Sequence, residues 1–301
     1  MNSKNKTREI TIGYVFCDRK LGGDEKAFLN LARKKKLNFI MFNISKEINE
    51  RAIEAKAAKC DIIFNNSAEE YATEFVKTLE ELGKKVIDSS RCFYYSEDKW
   101  MFFLKCKRAH VPTPKTNLLS SNIREAMKDV HAFNQWPIII KKIDGCQGDF
   151  VKKADNPQQA EKIIKKFWPD KGRDPIIIQE FIKSKSYRVT AIGNKIVQTA
   201  TKDATGWKST GVYQKIHHKF KVDKKLKRIV NQVLRVSRIN VCGIDFLKKD
   251  GKWLVIEVNA VPSFDFFLSE REKLIGKVLD LLVKKVKSSS EYKRKIARLE
   301  N

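Results

Sequence analysis

Residues 241–264 read VCGIDFLKKDGKWLVIEVNAVPSF. Two apolar runs flank Asp250-Gly251, a dipeptide that favours a two-residue hairpin turn with both residues at positive φ. The turn is expected to bring Asp245 opposite the pair Glu257 and Asn259. Those two are separated by one residue and share a face of their strand. Asp, Glu and Asn are disfavoured in strands, yet here they interrupt Ile244, Phe246, Ile256 and Val258. Ordinary polar positions on a half-exposed sheet explain that poorly. Two carboxylates and an amide oxygen converging on one spot suit magnesium shared with substrate phosphates.

The rest of the chain alternates strands with helices, which makes the class α/β. Strands are expected at 10–16, 39–44, 60–66 and 85–88, with helices at 25–36 and 69–82. This order predicts a small parallel-sheet lobe with helical crossovers over residues 1–95. A helix beginning near Ser96 ends near His110, because Val111-Pro112 and Thr113-Pro114 force extended backbone. Further helices are expected at 122–133, 157–168, 224–237 and 269–287, and strands at 137–143 and 176–182. A second hairpin covers 187–203, turning at Gly193-Asn194. Residues 204–219 read as a mobile loop holding His217 and His218, and 289–301 as a charged tail. The expected division is therefore 1–95, 96–175, 176–288 and 289–301.

Composition bounds the partners. The 62 Lys and Arg against 36 Asp and Glu give a net charge of +26. Such a field attracts nucleotides, phosphorylated metabolites, nucleic acid or acidic peptides, although a lysine-rich surface also serves solvation alone. No zinc finger, RNA-recognition signature or basic zipper occurs, so nucleic acid is not expected as the main partner. No apolar run approaches the ~20 residues that span a bilayer, and MNSKNKTREITIGYVF lacks the pattern of a signal peptide. A cytoplasmic, membrane-free protein is expected. The six cysteines include no C-x-x-C pair and His is rare, so a zinc site is not expected. Reduced, buried thiols are expected instead.

Two further segments carry chemistry. In IIIKKIDGCQGD, Lys141 emerges from an apolar strand. Gly145 and Gly148 then let backbone amides approach a phosphate. Alone, Lys141 would read as a snorkelling surface lysine, and Cys146 as a small filler. In IIIQEFI, the strand end Gln179, Glu180, Phe181 and Ile182 offers backbone groups to a flat base.

Together, the segments SEDK (96–99) with Lys107, IIIKKIDGCQG, IIIQEFI, YRVTAIG and GIDFLKKDGKWLVIEVNAVP resemble the ATP-grasp superfamily. Within it they are most similar to the RimK-like ligases, which add glutamate or related amino acids to a carboxylate. The resemblance covers roughly residues 90–285. It implies an ATP-grasp fold of three lobes, with ATP clamped between two of them. Carried over by motif, Lys99 and Lys141 would contact ATP phosphates beside Gly145, Gln147 and Gly148. Glu180, Phe181 and Ile182 would line the adenine hinge, with Gln179 beside them among the nucleotide-binding residues. Lys208, Ser209 and Thr210 stand where the ligases carry Arg-x-Asn near the phosphates. Asp245, Glu257 and Asn259 would hold two magnesium (or manganese) ions. Arg188 would close the substrate site, and with Lys141 and Lys208 it would stabilise the transferring phosphoryl group.

There are departures. Ser186 replaces the Asp usual two residues before the family arginine, the hinge KSKSYR is short, and the amide of Arg-x-Asn is missing. These point to an alternative, the inositol-phosphate kinases of ATP-grasp type. They also have a short hinge before Tyr-[Lys/Arg]-Val and an ending like VNAVPSF. The partners implied are ATP with an acidic small molecule or peptide, or an inositol phosphate. A third alternative is a basic nucleic-acid or ribosome-binding protein without catalysis, which would leave Asp245, Glu257 and Asn259 unexplained.

Overall fold

Strand β1 (Thr11–Phe16) is buried along almost its whole length, as a central parallel strand covered on both faces must be. After it come α1 (Gly23–Lys34), β2 (Asn38–Asn43), α2 (Glu50–Ala58), β3 (Ile62–Asn65), α3 (Glu70–Glu81) and β4 (Val86–Ile87). They form one parallel sheet in the order β2-β1-β3-β4, in agreement with the strand–helix alternation. Helix α2 went unread in the sequence. It buries only Ile53 and Ala57, too few positions to show a period, and it starts on an Asn49 cap that accepts from the Ala52 amide at 3.2 Å. The computed structural model describes residues 9–17, 20–46, 49–144, 150–169, 174–202, 207, 217–290 and 292.

Two short helices, α4 (Ser90–Glu97) and α5 (Lys99–Arg108), meet at Asp98, whose side chain caps α5 by accepting from the Met101 amide. A second sheet follows, from β5 (Thr116–Leu118), β6 (Ile138–Lys142), β7 (Val151–Ala154) and β8 (Ile176–Glu180), ordered β5-β8-β6-β7 and antiparallel throughout. Helices α6 (Ile123–Phe133) and α7 (Pro157–Phe167) cover one face through Ala126, Val130, Phe133, Ala160 and Ile164. Strand β8 fills the gap between β5 and β6. The chain therefore leaves this sheet after Glu180 and not at the expected 176.

The third sheet, also antiparallel, has the order β11-β10-β9-β12-β13. Its strands are β9 (Ser186–Ile192), β10 (Lys195–Lys202), β11 (His217–His218), β12 (Val241–Lys249) and β13 (Lys252–Asn259). His217 and His218, expected in a loop, pair with Lys202 and Thr201. Apart from Trp207 and 217–219, the loop read at 204–219 lies outside the described residues, as does most of the tail.

Helix α8 (Lys224–Ser237) packs on one face of this sheet through Leu226, Ile229, Val230 and Val233. Helix α9 (Arg271–Lys287), expected to belong to the third lobe, returns to the first. Its Leu274, Ile275, Val278 and Leu279 share a core with Ile12, Tyr14 and Phe28, and with Ile192 and Val241 of the third sheet. An apolar stripe states that a helix must be covered, but not by which neighbour. Among the described residues, no helix is long and apolar enough to cross a membrane.

Candidate active site

The β12–β13 turn takes positive φ at both Asp250 (50°) and Gly251 (72°). Asp245 pairs with Glu257, and Gly243 with Asn259. A bulge follows Asp245, placing Ile256 outside the ladder. It shifts the alternation by one residue. Trp253 and Val255 face the α8 core before the bulge, Val258 faces it afterwards, and Glu257 and Asn259 point the other way. On β12 the core takes Cys242, Ile244 and Phe246, which leaves Gly243 and Asp245 on that same opposite face.

The row extends to β9, where Arg188 pairs with Asp245. Arg188, Asp245 and Glu257 thus lie side by side across three strands. Arg188 donates from Nε and Nη2 to the two Asp245 oxygens at 2.5 and 2.6 Å. The guanidinium also lies across Gly243, where a Cβ would come within 2.2 Å of Nη1. The glycine is there for this close approach. Asn259 Nδ2 donates to Asp245 at 3.4 Å.

Burial sets the electrostatics. It raises the Asp245 carboxyl above its ordinary range, and Glu257 adds to that while Arg188 opposes it. Burial acts on Glu257 in the same sense, but the ammonium groups of Lys99 and Lys141 outweigh it and hold this carboxyl below its usual value. One carboxylate is thereby kept ionised beside another that resists ionisation, the division expected of neighbouring buried acids.

Across the cleft stands the second sheet. Its Ile138, Ile140, Ile176 and Ile178 point into the helical core, so Lys141 and Gln179 point towards the third sheet. Lys141 is 8 % exposed and donates to Gln179 Oε1 at 2.9 Å, while Gln179 Nε2 donates to Thr116 Oγ1 at 2.9 Å. Burial lowers the Lys141 pKa to about 8, against an upward pull from Glu257. Lys99 opens α5 and donates from Nζ to the Ile143 carbonyl at 3.3 Å. Lys99, Thr116, Lys141 and Gln179 line one narrow cavity with Val255 and Ile256 of β13. Gln179 thus presents its side chain to the cleft as well as its backbone, and Thr116 joins the site without any local motif to mark it.

Glu180, Phe181 and Ile182 lie where the chain crosses from β8 to β9. Glu180 accepts from the Lys115 amide at 2.9 Å and pairs with Lys249, tying the two sheets together. The Phe181 amide donates to the Pro137 carbonyl, and Ile182 is buried. Ser186 and Thr190 follow the strand alternation of Arg188, and Gln198 pairs with Thr190 on β10. All three are buried, and among the described residues Ser186 Oγ, Thr190 Oγ1 and Gln198 Oε1 have no hydrogen-bond partner. Polar atoms in that state call for a ligand or water. Gly145, Gln147, Gly148, Lys208, Ser209 and Thr210 lie outside the described residues.

The donor set fits a hard divalent cation. Asp245, Glu257 and Asn259 offer two carboxylates and an amide on one face, with cations placed for an anionic co-ligand. Arg188 holds both Asp245 oxygens, so a cation there would share one of them.

Residues 96–281 match the RimK-like ATP-grasp domain. A probable alpha-L-glutamate ligase of Vibrio parahaemolyticus is 26% identical over 236 residues, covering 74% of this chain and 75% of that one. Among solved structures, a RimK domain ATP-grasp protein from Sphaerobacter thermophilus superposes with a TM-score of 0.73 at 14% identity, over 89% of this chain and 98% of that one. The D-alanine–D-alanine ligase of Bacillus anthracis, solved with ATP, gives 0.70 at 13% identity, over 93% and 97%. The ATP-grasp ligase PsnB, solved with a minimal precursor, Mg and ADP, gives 0.66 at 14% identity, over 90% and 96%. Two antiparallel sheets facing across a cleft behind a parallel-sheet lobe are the ATP-grasp architecture, and the chain belongs to the RimK-like ATP-grasp family.

Proposed function

We propose that this protein uses ATP to join an amino acid, glutamate in the first instance, to a carboxylate of an acidic substrate. The observation that carries the reading is the Arg188–Asp245–Glu257 row facing Lys141 across the cleft. Family membership supplies the reaction class, an ATP-dependent carboxylate–amine ligation. Glutamate follows the name of the Vibrio relative.

The acceptor carboxylate would attack the γ-phosphorus of ATP, giving an acyl phosphate and ADP. The amine of the amino acid would then attack the acyl carbon and expel inorganic phosphate. Neither step needs a side-chain nucleophile. The protein contributes position and fixed charge, as in other phosphoryl transfers.

Lys99 and Lys141 are assigned to the ATP phosphates. Lys141 is buried and Lys99 half-buried, so their charges act where screening is weak. Glu180, Phe181 and Ile182 are assigned to the adenine hinge, on the crossing between the two sheets. Arg188 is assigned to the transferring phosphoryl group, close enough to Asp245 to exchange one partner for the other. Gly145, Gln147, Gly148, Ser186, Lys208, Ser209 and Thr210 keep the nucleotide-binding roles that the resemblance implies. Asp245, Glu257 and Asn259 would hold magnesium, two ions in our reading, which would neutralise charge on the phosphates. Thr190 and Gln198, with unpartnered buried oxygens on the same face, are assigned to the amino acid.

The test is ATP turnover with magnesium against amino acids combined with acidic peptides, and separately against inositol phosphates. Free phosphate that requires both an amine and a carboxylate is the expected result. ADP without free phosphate, accompanied by a phosphorylated inositol, would replace the ligase with the kinase.

A further inference from the structure

Helices α4, α5 and α8 border an open cavity of about 400 Å³ lined by Arg91, Tyr95, Lys105, Arg108, Arg235 and Arg238. Among the described residues, no carboxylate lines it, and none of its five cations forms an ion pair. The helices that build it rest on the core that takes Val189, Cys242, Ile244 and Phe246. The cavity therefore lies on the face of the third sheet opposite Arg188 and Asp245, away from the cleft.

The residue type separates this cluster from the general basicity of the chain. Fifteen of the 62 basic residues are arginine, so lysine is the usual choice wherever positive charge only solvates a surface. Here the ratio is inverted, with four arginines and one lysine. Arginine presents a planar fork that binds an oxyanion through two hydrogen bonds, which a lysine cannot do.

Helix capping accounts for part of the cluster only. Lys105 and Arg108 sit in the last turn of α5 and Arg235 in the last turn of α8, where a cation complements the helix dipole. Arg91 sits in the first turn of α4, where the dipole disfavours it. Arg238 lies past the end of α8 at φ 59°. The two chain segments are held together there, since the Cys92 thiol donates to the Arg238 carbonyl at 3.4 Å.

We propose that this cavity binds a compact ligand carrying two or more phosphate groups. The cations converge on one concavity rather than running along a line, which fits a small molecule better than an extended polymer. Its volume falls in the range usual for small-ligand sites, roughly 300–1,000 Å³. Two or three linked phosphates deliver the matching negative charge in that space, whereas single carboxylates would need several spaced residues. The Tyr95 ring, with Lys105 Nζ 5.6 Å from its centre, supplies an apolar wall. This site is independent of the ligase reading and stands or falls separately.

The probe is inorganic tripolyphosphate, titrated calorimetrically without divalent metal into the full chain. A Lys141→Met variant removes the contribution of the cleft. Binding should persist in that variant and weaken at least tenfold when Arg108→Gln and Arg235→Gln are added. An Arg108→Lys, Arg235→Lys pair keeps the charge but loses the forks, and should weaken binding several-fold. Arg91→Gln, on a different helix, should weaken it independently and guards against misfolding of the double variant. Unchanged affinity in the glutamine variants, or loss of all binding with Lys141→Met, overturns the proposal. So does a single-stranded RNA dodecamer that binds through the same arginines while tripolyphosphate does not, which would make the surface a nucleic-acid site.

Discussion

Arg188 grips both oxygens of Asp245 while lying flat across Gly243, so one missing side chain makes room for the ion pair. Gly243→Ala places a Cβ where Nη1 now sits and must push the guanidinium aside. Overpacking of this kind costs about 1–3 kcal/mol, and it would draw Arg188 away from the phosphoryl group it is proposed to bind. ATP turnover should fall at least tenfold with a lowered melting temperature. A melt accompanied by steady-state kinetics would show it, and unchanged turnover would remove Arg188 from the proposed machinery.

Asp245→Ala leaves the Arg188 guanidinium buried without its bidentate partner. Breaking one side of a buried ion pair costs about 3–5 kcal/mol, so urea denaturation should show a loss of that order. Asp245→Asn retains two polar atoms and should lose less stability. Both variants should lose magnesium-dependent turnover. An active Asp245→Asn protein would mean that the row is structural.

Lys141 titrates at about 8 against an ordinary 10.5. The folded chain holds this proton less tightly than the unfolded one. The group therefore weakens the fold fully below pH 8, and stability recovers as pH rises from about 8 towards 10.5. If Lys141 holds the ATP phosphates as proposed, nucleotide binding runs the opposite way, because a neutral amine no longer attracts phosphate. ATP affinity, measured across pH 7 to 9, should drop through about 8 in the wild type. Lys141→Arg should flatten that step, since arginine stays charged.

Asp88 accepts from the Asn240 amide at 2.7 Å, from Asn240 Nδ2 at 2.6 Å and from the Val241 amide at 2.9 Å. It pins the start of β12 to the end of the first lobe. Asp88→Asn removes one acceptor and should cost about 1–3 kcal/mol. The Michaelis constant for ATP should stay unchanged, because Asp88 lies away from the cleft residues. A stability loss without any kinetic change is the expected signature.

The hairpin at 241–264 was legible because its turn dipeptide and its polar interruptions are local features. The four parallel strands of the first lobe were legible for the same reason, as uninterrupted apolar runs. Helix α2 was not, since nine residues with two buried side chains carry no period. Strands β5 and β7 were missed because three- and four-residue pairings take their stability from neighbours rather than from composition. The bulge after Asp245 also escaped reading. It is visible only once β13 is laid against β12.

A ladder running straight from the two-residue turn would set Asp245 opposite Ile256, and the bulge after Asp245 is what brings this carboxylate to Glu257. By itself the sequence placed only Glu257 and Asn259 on one strand face, since alternation acts over a few residues. It also determined the class of fold, through the order of apolar runs. Folding in three dimensions was needed to bring Arg188 from a third strand onto Asp245, Lys141 to Gln179 across β6 and β8, and α9 onto the first lobe. Four scattered arginines likewise became one cavity only when α4, α5 and α8 met. These relations join residues tens to hundreds of positions apart. They are set by which buried faces find each other, and no local pattern of side chains encodes that choice.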